Sequence, residues 1–111
     1  MKVLIVEDEP FAQQELKRLL KAVRSEAVIL DCIDSVEDTL QWLNTHPLPD
    51  LIFLDIQLSD GLSFEIFRQK NILCPVIFTT AFDEYAIQAF KVNSVDYLLK
   101  PVKQADLEAA L

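Results

Sequence analysis

The stretch PDLIFLDIQL, residues 49–58, decides how this chain is read. Its centre, Leu51–Leu54, is a continuous apolar run, the pattern of a strand buried on both faces of a parallel sheet, and it stops at a carboxylate, Asp55. Three other apolar runs stop in the same way. VLIV leads into Glu7-Asp8, VIFT into Thr80 and YLL into Lys100, whereas the run Val28–Ile33 reaches no such group. Ligands of open parallel sheets bind beyond the carboxyl ends of the strands. Three carboxylates, a hydroxyl and an amine are therefore expected to meet in one pocket, the chemistry of a cation-and-phosphate site.

Between these runs the apolar period is helical. Pro10 suits a first helical turn, and Ala12, Leu16, Leu19, Leu20 and Val23 follow on one face. Ser35 and Asp38 have the spacing of a capping box and open a helix with Val36, Leu40 and Leu43 on one side, ended by Pro47 and Pro49. Ser59-Asp60-Gly61 reads as a loop, followed by a short helix with Leu62, Ile66 and Phe67 inward. Asp83 caps a helix carrying Tyr85, Ala86, Ala89 and Phe90, and Val95–Leu99 is a strand. Lys100-Pro101, an X–Pro bond for which the cis form is accessible, leads to a last helix with Leu107 and Leu111. Val28–Ile33, interrupted by Asp31, reads as an edge strand. Five β/α units with short connections imply right-handed crossovers and a parallel sheet covered on both faces.

The 111 residues form one domain, residues 1–111, and 51% hydrophobic residues suffice for a core. No apolar run approaches the roughly 18 residues that span a bilayer, and the N-terminus does not read as a signal peptide. Cys32 and Cys74 lack metal-ligand spacing and read as buried, reduced thiols, which suits a cytoplasmic protein. A net charge of −8 argues against this piece gripping nucleic acid itself.

Glu7-Asp8 opposite Asp55 would repel strongly, and a bound divalent cation relieves the repulsion. Oxygen donors without nearby His or Cys point to Mg²⁺ or Mn²⁺. A carboxylate beside such an ion can act as a nucleophile towards phosphorus. Lys100, held by the following proline, is placed to neutralise carboxylates at rest and a phosphoryl oxygen after reaction. His46, beside Pro47, reads as a surface residue at a helix end, and Trp42 as lying away from the pocket.

MKVLIVEDEP, PDLIFLDIQL, VIFTTAF and DYLLKP resemble, over the whole chain, the receiver domain of bacterial two-component response regulators. The resemblance implies a flavodoxin-like (βα)5 three-layer sandwich with strand order 2-1-3-4-5. By position Asp55 matches the phosphoacceptor, Asp8 the direct metal ligand and Glu7 the acid that holds metal-bound water. Gln57 matches the position whose backbone carbonyl completes the metal shell. Thr80 and Lys100 match the phosphate-sensing pair, Tyr97 the aromatic switch, and Pro101 the structural proline after the lysine.

TAFDEYAIQAFKVNSVDYLLKP is similar to receivers of the LytTR class, which implies a C-terminal LytTR DNA-binding domain beyond this chain. Further implications are a sensor histidine kinase as partner and a receiver–receiver homodimer on phosphorylation, formed through Phe82–Val92, the last strand and the last helix, with no membrane contact. Thr80 would move towards the phosphoryl group and Tyr97 would turn into the vacated space. Ser59 stands where most receivers have proline and Gly61 arrives about two residues early. The loop after Asp55 is thus shorter than the commonest pattern, which bears on access to Asp55 and on its dephosphorylation.

Two other classes fit less well. A haloacid-dehalogenase-type phosphatase generally needs an Asp where Gln57 stands, and a flavin-binding module would not place Glu7-Asp8-Glu9 in its phosphate loop. The expected protein is a signalling switch rather than an enzyme that turns over a substrate. A stand-alone receiver acting by protein contact is the alternative to a DNA-binding regulator.

Overall fold

The computed structural model describes residues 1–81 and 96–111. Strand β1 (Lys2–Val6) is followed by helix α1 (Pro10–Val23), β2 (Val28–Ile33), α2 (Val36–Thr45) and β3 (Leu51–Asp55). A two-residue pair, β4 (Gln57–Leu58) and β5 (Gly61–Leu62), precedes α3 (Phe64–Gln69), β6 (Val76–Thr80), β7 (Asp96–Leu99) and α4 (Gln104–Ala110). The five long strands lie in the order β2-β1-β3-β6-β7, every neighbouring pair parallel. Counting only these five, this is the expected 2-1-3-4-5 order, with Val28–Ile33 at the edge.

Side chains alternate across the sheet, so each strand feeds two cores. Leu4, Val6, Ile52, Leu54 and Phe78 pack with Trp42, Leu43, Phe64 and Ile66 under α2 and α3. Val3, Ile5, Phe53, Ile77 and Leu98 pack with Leu16, Leu19, Leu20 and Leu107 under α1 and α4. Burial on both faces explains why β1, β3 and β6 are written as unbroken apolar runs. Half of the edge strand β2 is exposed, with Val28 at 54%.

The helix starts obey local rules. Pro10 opens α1, and the Ser35 hydroxyl caps α2 by accepting the Asp38 N–H at 3.1 Å. Leu62 differs from expectation. It lies in β5, before α3, and is 36% exposed, because Gly61 at φ +143° turns the chain into a tight pair that carries Leu62 outward. Ile66 is buried as expected and Phe67 packs against the same core. Cys32 and Cys74 are free thiols, half-buried rather than buried. The expected Asp83 cap, the helix with Tyr85, Ala86, Ala89 and Phe90, and Val92 and Val95 lie outside the described residues.

Candidate functional site

The carboxyl ends of β1, β3 and β7 deliver the charged groups, and that of β6 the Thr80 hydroxyl. Residues of one parity, Ile5, Phe53 and Leu98, face the α1 core, and two positions later in each chain segment stand Glu7, Asp55 and Lys100, whose charged ends meet. The Lys100 Nζ contacts Glu7 Oε1 and donates to Asp55 Oδ2 at 3.0 Å. Glu7, Asp8 and Asp55 each offer an oxygen such that all three lie within 4.8 Å of one another, the one acidic group of this kind among the described residues. Glu7 and Asp55 are 3% and 5% exposed, so water screens them poorly.

The backbone holds each member in place. Glu7 N–H donates to the Ile33 carbonyl at 2.8 Å, Gln13 Nε2 donates to the Glu7 carbonyl at 2.6 Å, and Glu9 N–H donates to Glu7 Oε2 at 3.1 Å. Lys100 N–H donates to the Thr80 carbonyl at 2.7 Å, which fixes the lysine beside the end of β6, and the Lys100-Pro101 bond is cis. Gln57 N–H lies 3.4 Å from Asp55 Oδ1. Thr80 is 1% exposed at the strand end, and Tyr97 is half-buried against the α2/α3 core.

Electrostatics follow from this crowding. Desolvation by burial raises the Glu7 carboxyl above its ordinary 4.5; Lys100 opposes this, and Asp55 adds to it. Desolvation, then the Glu7 carboxylate, raises Asp8 above 3.8. Burial alone would lower Lys100, but Glu7 and Asp55 outweigh it and hold the ammonium above 10.5. Three carboxylates and one ammonium leave −3 + 1 = −2 when all are ionised. At an effective dielectric of about 20, each carboxylate pair at this spacing repels by about 3.5 kcal/mol. Oxygen-only donors with this residual charge fit a hard divalent cation.

Every expected site residue among Glu7, Asp8, Asp55, Gln57, Thr80 and Lys100 sits at this end of the sheet. A second set of contacts was not foreseen. Asp60 accepts the Val36 and Glu37 N–H groups at 2.7 and 3.1 Å, and Ser59 donates from N and Oγ to the Asp34 carbonyl at 3.4 and 3.0 Å. Sequence signals for helix caps are local, and these partners are 23 to 25 residues apart. Trp42 stacks on His46 with ring centroids 4.3 Å apart. It also lines a broad cleft that includes Asp8 and Asp34 but neither Glu7, Asp55 nor Lys100.

Comparisons with known proteins identify the family. The family model of the response regulator receiver domain matches residues 3–111. The sensory transduction protein LytT of Bacillus anthracis is 48% identical over 104 residues, covering 91% of this chain and 42% of the relative. The transcriptional regulatory protein BtsR of Escherichia coli is 40% identical over 114 residues, covering all of this chain and 46% of the relative. Among solved structures, the response regulatory domain of mrkE from Klebsiella pneumoniae superposes with a TM-score of 0.85 at 38% identity, covering 99% of this chain and 91% of that one. The chain spans less than half the length of these curated relatives. The match over nearly the whole chain, on a fold that gathers the acids and the lysine at one sheet end, makes this chain a member of the response regulator receiver domain family, with relatives of the LytT and BtsR kind.

Proposed function

We propose that Asp55 accepts a phosphoryl group from the phosphohistidine of a sensor histidine kinase, and that the chain is the phosphorylation-dependent switch of a transcriptional regulator. The observation that carries this reading is the Lys100 ammonium set between Glu7 and Asp55 with Asp8 in the same cluster. An Asp55 oxygen forms the new O–P bond as the P–N bond of the donor breaks, and the imidazole nitrogen keeps the electron pair. Lys100 pairs with a phosphoryl oxygen as charge gathers there. Glu7, Asp8, Asp55 and the Gln57 backbone carbonyl would hold Mg²⁺ or Mn²⁺, which when bound supplies charge stabilisation to the transferring group. The domain's chemistry is confined to this transfer and the later hydrolysis of the acyl phosphate.

Thr80 donates its hydroxyl to the bound phosphoryl group, and Tyr97 turns into the space it leaves, a local event that biases a two-state element. The readout face comprises β7, α4 and residues 82–92, the last outside the described residues, and serves a receiver–receiver homodimer. A DNA-binding domain of the LytTR type, beyond this chain, carries the output in the cytoplasm; the similarity to the transcriptional regulatory protein BtsR supports this. No described helix is long and apolar enough to cross a membrane.

The proposed kinase-docking surface lies beside the acidic cluster. An apolar groove beside Glu7 and Lys100 is lined by Phe11, Leu16, Leu19 and Val102, and Phe11 is 76% exposed. The deciding experiment incubates the domain with Mg²⁺ and acetyl phosphate and reads the mass of intact protein beside Asp55→Ala. Modification of the wild type alone supports the reading; none, or equal modification of both, sinks it.

A further inference from the structure

The loop after the phosphoacceptor is fastened at its far end. Five residues beyond Asp55, both Asp60 oxygens accept N–H groups from the first turn of α2, at 2.7 Å from Val36 and 3.1 Å from Glu37. Ser59 doubles the attachment through the Asp34 carbonyl. The first N–H groups of a helix have no partner within it, and a carboxylate there also meets the positive end of the helix dipole. Desolvation would raise the Asp60 carboxyl, but the Val36 and Glu37 amides, with its own backbone N–H, outweigh it and hold it below 3.8.

The network reaches both sides of the site. At its near end, Ile56 N–H donates to the Thr79 carbonyl at 3.3 Å, and Ser63 N–H donates to the Ile56 carbonyl at 2.8 Å. Next to Asp34, the Ile33 carbonyl accepts the Glu7 N–H. Ser59, Asp60 and the β2–α2 connection therefore join the Asp55 loop to the strand end that carries Glu7.

We propose that Asp60, with Ser59, latches the short loop onto the start of α2, and that Asp60 is a positioning residue for the Asp55–Gln57 segment on which metal binding depends. The proposal rests on the receiver reading above. With the latch closed, the segment bearing Asp55 and the Gln57 carbonyl is ordered before any ion arrives, so less freedom is lost on binding. With it open, that ordering must be supplied by the ion. The glycine at φ +143° beside Asp60 lets so short a loop reach α2.

The test compares wild type with Asp60→Ala, Asp60→Asn, Ser59→Ala and the charge control Glu37→Gln, which keeps the Glu37 backbone donor. Mg²⁺ affinity is read by calorimetry, amide exchange at Val36 and Glu37 by NMR, and unfolding temperature by calorimetry. Asp60→Ala is expected to weaken Mg²⁺ about tenfold, as loss of outer-shell support does at metal sites, and to expose both amides. Asp60→Asn, which keeps one acceptor oxygen, falls between, and Glu37→Gln binds Mg²⁺ as wild type does. Unchanged Mg²⁺ affinity in Asp60→Asn and Asp60→Ala, with only a lower unfolding temperature, would make Asp60 a helix cap and overturn the proposal. So would an equal loss in Glu37→Gln, which would assign the effect to bulk charge. A wild type that neither binds Mg²⁺ nor takes phosphoryl from acetyl phosphate defeats the receiver reading itself, a different outcome from either.

Discussion

Lys100 and Asp55, 45 residues apart in the chain, are joined at 3.0 Å, and the same ammonium also contacts Glu7. One cation thereby holds two nearly buried carboxylates that would otherwise repel. Removing it strands them, and breaking a buried pair typically costs about 3–5 kcal/mol. Lys100→Met is expected to lower stability at pH 7 by about 3 kcal/mol in chelator. Saturating Mg²⁺ should recover part of the loss in urea unfolding.

The acidic cluster sets a pH dependence whose sign can be worked out. Glu7 and Asp8 have folded values raised above 4.5 and 3.8. Between each ordinary value and its raised one, the folded protein holds more protons than the unfolded chain. Their contribution to stability therefore falls as pH rises through that window. Lys100, raised above 10.5, contributes stability that is present below that value and is lost as pH rises past its folded value. Stability without metal is expected to carry a declining component above about pH 4.5 from this cluster. Double substitution Glu7→Gln/Asp8→Asn should remove that component from unfolding curves measured between pH 4 and 7.

Asp55→Asn separates charge from shape. It keeps the volume, removes one member of the crowded cluster and leaves Glu7 as a partner for Lys100. The variant is expected to take no phosphoryl group from acetyl phosphate and to bind Mg²⁺ more weakly. In chelator it should be more stable by about 1 kcal/mol, or roughly 4 °C in unfolding temperature for a domain of this size. A lower unfolding temperature in chelator would contradict the repulsion argument.

Phe11 distinguishes docking from chemistry. At 76% exposure its loss leaves stability within about 0.5 kcal/mol of wild type. Phe11→Ala should accept phosphoryl from acetyl phosphate at the wild-type rate. Transfer from the phosphorylated kinase should slow by about tenfold, as loss of an aromatic anchor does at an interface. Wild-type rates with both donors would move the kinase surface elsewhere.

The start of α2 is capped twice, by the Ser35 hydroxyl and by Asp60. Ser35→Ala is expected to cost about 0.5–1 kcal/mol, the low end for an N-cap, because Asp60 still serves the first turn. In the Asp60→Ala background the same substitution should cost more, which a double-mutant cycle in urea would measure.

Reading the residues alone places the strands and most of the site, and the reason is local. A strand buried on both faces must be an unbroken apolar run, so VLIV, LIFL and VIFT announce themselves, and the polar residue that ends each run is at the same end of a parallel sheet. Ser35 and Pro10 mark helix starts by rules that span three residues. Leu62 was not legible as an exposed residue, since its direction depends on the turn that Gly61 makes rather than on its own hydrophobicity. That Lys100 would neutralise carboxylates was legible, but its choice of Glu7 and Asp55, and the fastening of Asp60 to Val36 and Glu37, came only with the tertiary structure. Both join groups 23 or more residues apart through a pair of polar contacts. Such contacts leave no periodic trace in the chain. Sequence determined which chemical groups stand at the end of the sheet; packing decided which of them touch, because the distance between two strand ends is set by the sheet and its loops together.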